Sequence, residues 1–301
     1  MSRDHSQETL EVFIPFWGDP ELLYATVESV RTQTDPDWTI TVVDDCYPGP
    51  TVAEHFGAEA DPRIRYLRNE VNVGITDNYQ RCRELASGEL MMFLGCDDLM
   101  HPDFVRTVKA AHREFPAAAT IQVGVEVIDE HDRPIDPLTD KVKRAVRPRV
   151  RRRTQLSGEA LATSLLRGAW HYWPALVFRT EVLNRFPFRE GLPIIQDLAL
   201  LIDMTAAGES LVLDPSVCFS YRRHTQSASA TSLLHGNRFS DERRYYATAA
   251  EQMASRGWTR AARTARTRWT SRLHAVTLLP TALKRRELVA VRSLLDHTLA
   301  R

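Results

Sequence analysis

Leu90-Met-Met-Phe-Leu94 is an unbroken apolar run that leads into Gly95-Cys96-Asp97-Asp98, and residues 37–45 do the same, closing on Thr41-Val-Val-Asp-Asp45. Short runs of apolar and β-branched residues are what strands buried on both faces require. In open α/β sheets, ligands bind beyond the carboxyl ends of such strands. Two buried strands that each end in a pair of acids therefore predict one shared crevice, with Asp44, Asp45, Asp97 and Asp98 at its edge.

Outward from these two runs the alternation continues. Residues 10–17 read as a strand rich in β-branched and aromatic residues, broken by Gly18-Asp19-Pro20. A helix predicted over 20–32 sets Leu22, Leu23, Ala25, Val27 and Val30 near one face, with Pro20 suited to its first turn. Further helices are expected over 51–56, 76–86, 102–114, 158–166 and 196–207, and further strands over 64–67, 120–128, 175–179 and 217–221. Strands spaced by helices imply an α/β fold with a mostly parallel central sheet flanked by helices. Residues 129–153 read as a loop, because they carry Pro134, Pro137 and Pro148 and eight basic residues from Lys141 to Arg153. That loop separates a first unit, 1–130, from a second, 131–231. Beyond it, 232–301 reads as a helical extension in which Trp258, Ala262, Ala265, Trp269, Leu273 and Val276 recur three or four apart.

At 301 residues and 34.3 kDa, with 43% hydrophobic and 26% charged residues, the composition is that of a folded globular chain and excludes disordered and fibrous classes. The longest uncharged apolar run, 168–178, has 11 residues and includes His171 and Pro174, too short for a membrane span. The N-terminal octapeptide Met-Ser-Arg-Asp-His-Ser-Gln-Glu has no apolar core of a secretory signal, so the cytoplasm is the expected location. Cys46, Cys82, Cys96 and Cys218 are widely spaced without a Cys-x-x-Cys pair, the pattern of free thiols. The 39 basic and 39 acidic residues balance, yet residues 1–140 hold 11 and 27, net −16, leaving 28 and 12, net +16, for the rest. Such asymmetry suits a nucleic-acid or membrane surface, or two halves that meet across an anionic ligand and its metal. No nucleic-acid recognition motif accompanies the charge, so nucleic acid is not an expected partner.

Several local patterns occur in one order, and from Val12 to His224 the chain resembles the family 2 glycosyltransferases of GT-A fold. Val12-Phe-Ile-Pro-Phe-Trp17 resembles the family's first strand, whose end lies against the donor nucleotide, pointing to Pro15, Phe16 and Trp17. Asp45, supported by Asp44, matches the acid that contacts the base, where a carboxylate accepts the imide N–H of uracil. The stretch from Asn69 to Asn78 resembles one beside the donor, in which Gly74 would let backbone approach the ligand and Asn78 would offer an amide. Phe93-Leu-Gly-Cys-Asp-Asp-Leu-Met-His-Pro-Asp103 resembles the acidic motif, normally Asp-x-Asp, that holds Mn2+ or Mg2+ on the donor diphosphate. Here Gly95 replaces the first acid; Asp97 takes the metal position with Asp98 beside it, and metal identity and dependence stay open. Pro193-Ile-Ile-Gln-Asp-Leu resembles the acceptor-side motif, with Gln196 in place of a glutamate and Asp197 as general base. Tyr221-Arg-Arg-His224 resembles a late Tyr-Arg-x-His stretch, giving Arg222 to phosphate and His224 to the metal.

The resemblance implies a metal-dependent, inverting glycosyltransferase that moves a sugar from a UDP-sugar to an acceptor hydroxyl of a cell-surface glycan, glycolipid or secondary metabolite. Residues 1–130 would be its nucleotide-sugar half and 131–231 its acceptor half. Trp170, His171, Tyr172 and Trp173 would either stack on the acceptor or fill the core. Residues 256–286, with nine basic residues and no acid, would pack on the catalytic domain or lie peripherally on the inner face of an anionic membrane. Two other readings compete. A nucleotidyltransferase also needs acids and a metal, but no glycine-rich loop bearing Arg or Lys follows the first strand. A non-catalytic nucleotide-sugar binder or assembly subunit would suit Gly95 and Gln196 in place of acids.

Overall fold

The computed structural model describes residues 9–189, 191–192, 195–223, 237–284 and 288–299. The first half alternates as the sequence reads: β1 (Leu10–Phe16), α1 (Pro20–Arg31), β2 (Trp38–Asp44), α2 (Thr51–Gly57), β3 (Ile64–Arg68), α3 (Ile75–Leu85) and β4 (Leu90–Phe93). Asp19 starts α1 by accepting the Glu21 amide at 2.9 Å, with Pro20 next to it in the first turn. A two-residue strand, β5 (Leu99–Met100), follows the second acid pair, then α4 (Phe104–Glu114) and β6 (Thr120–Ile128).

Residues 129–153 are not a plain loop: α5 (Leu138–Val146) lies within them. Prolines and basic residues hide an apolar stripe, Leu138, Val142 and Val146, spaced by four. Pro137 stands at the N-cap, where its missing N–H costs nothing. Val146 packs where a side chain on Gly168 would sit, 2.6 Å from a Cβ placed there.

The chain continues through β7 (Thr154–Leu156), α6 (Gly158–Gly168), a 3-10 turn at Trp173–Ala175, β8 (Leu176–Arg179), α7 (Thr180–Leu183), α8 (Gln196–Ala206) and β9 (Leu211–Arg222). The strands form one sheet in the order β3-β2-β1-β4-β8-β6-β9-β5, with β7 also beside β9. Strands β1, β2, β3, β4, β6 and β9 run one way and β5, β7 and β8 the other, so the sheet is mostly parallel. Strand β9 is longer than the expected 217–221 because it starts at Leu211 and continues through a bulge at Asp214-Pro215-Ser216. The bulge crosses Gly124 of β6, where a Cβ would lie 2.8 Å from the Ser216 carbonyl oxygen.

Alternate residues of the central strands feed two cores. Val12, Ile14, Phe16, Ile40 and Met92 pack on one face with α1 and α4, whereas Phe13, Met91 and Phe93 pack on the other with α6 and α8. The C-terminal helices α9 (Asn237–Ser255) and α10 (Thr259–Thr267) join the second core through Tyr245, Tyr246, Met253, Ala262 and Ala265. Arg268, in the left-handed region at φ 44°, ends α10 and splits the apolar stripe that the sequence shows as continuous. Beyond it, α11 (Trp269–Lys284) and α12 (Leu288–Leu299) pair through Ala275, Ala282 and Leu294, while Trp269, Leu273 and Val276 stay exposed.

Candidate active site

The carboxyl ends of β1, β2 and β4 lie side by side. The Asp45 amide donates to Phe16 O at 2.9 Å, and the Leu94 amide donates to Phe13 O at 2.8 Å. Gly18 closes the junction, since a Cβ there would stand 3.4 Å from Cys96 Sγ. Pro15 is half-buried, Phe16 is buried and Trp17 is 58% exposed, its ring edge-on to Tyr47 with centroids 6.4 Å apart. Fully buried Asp44 holds the turn after β2: it accepts the Tyr47 amide at 2.7 Å and the Tyr66 hydroxyl.

Asp45 anchors the loop before α3. Its Oδ1 accepts from Asn69 Nδ2 and the Val73 amide, both at 2.8 Å, and its Oδ2 accepts the Gly74 amide at 2.9 Å. Gly74 adopts φ 86° with open space around it, so backbone conformation rather than crowding calls for glycine. Buried Asn78 donates to Val43 O at 2.9 Å and accepts from Asn69 Nδ2 at 3.1 Å. These residues form one hydrogen-bonded rim along the end of β2.

At the end of β4, the buried Asp98 carboxylate turns back over Gly95. A Cβ on residue 95 would lie 2.4 Å from Asp98 Oδ2 and 3.1 Å from Asp97 Oδ1, so the space of the motif's missing side chain is filled by the next acids. Burial, then the neighbouring Asp97 charge, pushes the Asp98 carboxyl well above the usual carboxylate range, against the pull of the Arg222 amide. Asp98 Oδ1 accepts that amide at 2.8 Å. The Arg222 side chain donates to Asp97 O at 2.7 Å and Asp129 O at 3.0 Å and pairs with Asp132 at 2.6 Å. The guanidinium expected to meet phosphate thus ties the acid turn to residues 129–132.

Two adjacent carboxylates disfavoured as a doubly charged pair suit a hard cation, and magnesium-type ions take one or two carboxylates and complete their shell with water and phosphate. No group of three or more metal-ligating side chains converges among the described residues. His224 lies outside the described residues.

Directly across β9 from this turn is a cavity of about 690 Å³. Arg222 points to the acids, and its neighbours Tyr221 and Arg223 line the cavity. His171, Tyr172, Trp173 and Asp197 line it as well, with Leu138, Val142 and Lys143 of α5 and Leu273 and His274 of α11. Asp197, in the first turn of α8, accepts the Leu198 amide at 2.6 Å, and its Oδ2 lies 3.0 Å from His171 Nε2. Arg223 grips buried Asp140 through two bonds of 2.6 and 3.0 Å, and Asp140 accepts the Tyr172 hydroxyl at 2.8 Å. Lys143 Nζ donates to His171 O at 3.0 Å and sits over the Tyr172 ring.

Two expected acceptor contacts stand elsewhere. Trp170 is fully buried in the second core and donates to Ser164 Oγ at 2.9 Å, because Ala169, at φ 41°, turns the chain inward after α6. Gln196 is buried outside the cavity, its Oε1 3.4 Å from Thr76 Oγ1. Lys143, Asp140, Tyr221 and Arg223 escaped the sequence reading. The first two sit in the segment read as a loop, and the last two flank the arginine that drew attention.

The model of glycosyl transferase family 2 matches residues 11–165. The chain belongs to that family. Among curated relatives of this family 2 chain, the uncharacterized protein y4gI of Sinorhizobium fredii is 31% identical over 125 residues, 40% of this chain. A protein of Escherichia coli named "Putative colanic acid biosynthesis glycosyl transferase WcaA" is 28% identical over 106 residues, 35% of this chain. The matches span only 14% and 38% of those relatives' own lengths. Among solved structures, S. aureus TarS 1-349 superposes with a TM-score of 0.65 at 13% identity, covering 97% of this chain and 81% of that one. The same protein in complex with UDP-GlcNAc gives 0.61 at 15% identity, over 79% and 65%. This likeness speaks to the fold, which is of the GT-A type: a mostly parallel sheet flanked by helices, with a helical C-terminus.

Proposed function

We propose that the protein is an inverting glycosyltransferase that transfers a sugar from a UDP-sugar to a hydroxyl of an acceptor used in cell-surface polysaccharide or glycolipid synthesis. The observation that carries this reading is the placement of two carboxylate centres on either side of β9: Arg222 binds the Asp97–Asp98 turn while Tyr221 and Arg223 line the cavity that holds Asp197. A donor diphosphate at the first centre and an acceptor in the second would meet beside that strand. Family membership, the relative named for colanic acid and the neighbour solved with UDP-GlcNAc support the substrate classes.

In this mechanism Asp197 accepts the proton of the acceptor hydroxyl as its oxygen attacks the anomeric carbon, and the bond to UDP breaks on the opposite face, inverting the centre. The nucleotide end rests against Trp17 and the Asp45-anchored loop. Asp97 and Asp98 would hold Mg2+ or Mn2+, which when bound offsets charge on the leaving diphosphate. No described helix is long and apolar enough to cross a membrane. Exposed Trp269 and Val276 on α11, within the acid-free basic stretch, support peripheral contact with an anionic membrane.

Thermal stabilisation by UDP, GDP, dTDP and CMP, each with and without Mn2+, tests the donor site, since a ligand that binds the native state raises Tm. A metal-dependent shift with UDP is expected. Stabilisation by none of the four overturns the reading. Asp197→Asn should retain the UDP shift and lose roughly 10²- to 10⁴-fold in turnover; retained turnover removes Asp197 as base, and UDP binding with no turnover of any donor by the wild type favours a non-catalytic binder.

A further inference from the structure

The His171 ring is 1% exposed in the cavity wall, and neither of its nitrogens completes a hydrogen bond among the described residues. Its Nε2 is 3.0 Å from Asp197 Oδ2, but the oxygen lies off the ring N–H axis. A buried imidazole without hydrogen bonds costs free energy, so a fold that keeps one against a carboxylate calls for a reason. The ring's place is set by neighbours: Lys143 holds the His171 carbonyl, and Asp140 holds the Tyr172 hydroxyl. No lost core contact explains it, because the aromatic anchor of this segment is Trp170.

We propose that His171 is the positioning residue of Asp197, keeping the carboxylate charged and turned into the cavity, where it takes the hydroxyl proton. This rests on the reading of Asp197 as the base. The charge balance agrees with the geometry. Burial pushes the Asp197 carboxyl up, but the charge and contact of His171, then the Leu198 amide and Lys143, outweigh it and hold the group below the usual carboxylate range. Tyr221 from β9, Arg223 just after it, Asp241 and Glu242 from α9 and His274 from α11 face the same cavity; Arg223 is bound to Asp140, and it is His171 whose charge acts most strongly on Asp197. A base left to burial alone would be protonated at higher pH and would fail sooner as pH falls.

The test titrates the Asp197 side-chain 13C carboxyl signal, identified by its loss in Asp197→Asn, in the wild type, His171→Gln and His171→Phe. The midpoint should rise by roughly one to three pH units in both variants, as expected on removing a charge within contact distance. With UDP-GlcNAc as donor and water as acceptor, the acid limb of UDP release should move up by the same amount, lowering kcat while leaving the donor KM unchanged. Asp197 titrating at the wild-type pH in folded His171→Gln overturns the proposal. If the His171 variants do not fold, the wild-type signal still decides: Asp197 should titrate below the ordinary carboxylate value, and a midpoint at or above it overturns the proposal. Should the wild type release no UDP from any donor, the transferase reading fails while the carboxyl titration still decides the role of His171.

Discussion

Gly95 shows how one residue can both mark and reshape a site. The lost acid reads in the sequence as a weakened metal motif, yet the structure fills its place with the Asp98 carboxylate, so the carboxylates are moved rather than merely fewer. Gly95→Ala would force a Cβ to within 2.4 Å of the buried Asp98 carboxylate, whose Oδ1 is fixed by the Arg222 amide. Overpacking of this kind costs about 1–3 kcal/mol. Calorimetry should show a Tm lower by a few degrees, and the Mn2+-dependent UDP shift should shrink with it; an unchanged Tm would mean the turn gives way freely. Trp170 supplies the contrast. Four neighbouring residues, Trp170 to Trp173, were equally plausible acceptor contacts from sequence, and what separates them is the left-handed Ala169, which no periodicity reveals. Trp170→Ala should cost about 3–5 kcal/mol in urea unfolding, whereas a variant that loses turnover but no stability would restore it to the site.

At the scale of elements, the strands that end in acids were legible because burial on both faces and a terminal carboxylate are local signals. The helix α5 was not, because its apolar positions matter only once the cavity and Gly168 are in place to receive them. Its key is Asp140, buried against Arg223 and the Tyr172 hydroxyl. Burial raises that carboxyl, but the Arg223 hydrogen bond and charge outweigh it and leave the group below its ordinary value. The stability from this arrangement is therefore fully present above the unfolded carboxylate pKa of about 3.9 and is lost as pH falls through the lower folded value. Asp140→Ala, which strands a partly buried arginine, should cost about 2–3 kcal/mol at pH 7. The Tm gap between wild type and variant should hold from pH 8 to pH 5 and close below about pH 4; a gap independent of pH would mean packing, not charge, holds α5.

Over the whole molecule, the division of charge visible in the sequence becomes a set of contacts across the fold: Arg153 to Glu114, Arg222 to Asp132 and Arg223 to Asp140 each join the basic half to the acidic one. The last two of these pairs bind the halves around the acid turn and the cavity, and none of the three uses a basic residue of the C-terminal stretch, 256–286. There, α9 and α10 are absorbed into the second core, while α11 keeps Trp269 at 49%, Leu273 at 50% and Val276 at 42% exposure. Interfacial binding needs both terms, apolar side chains to insert and cations to hold an anionic surface. Sedimentation with phosphatidylglycerol vesicles should therefore exceed that with phosphatidylcholine at low salt. It should fall as salt shortens the Debye length from about 30 Å at 0.01 M to about 3 Å at 1 M. Replacing Trp269 and Val276 together by serine should weaken binding to the anionic vesicles without lowering Tm, because neither residue belongs to a core. Equal binding to both lipids, or no loss in the double variant, would leave α11 as a wall of the cavity alone, its Leu273 and His274 facing the acceptor.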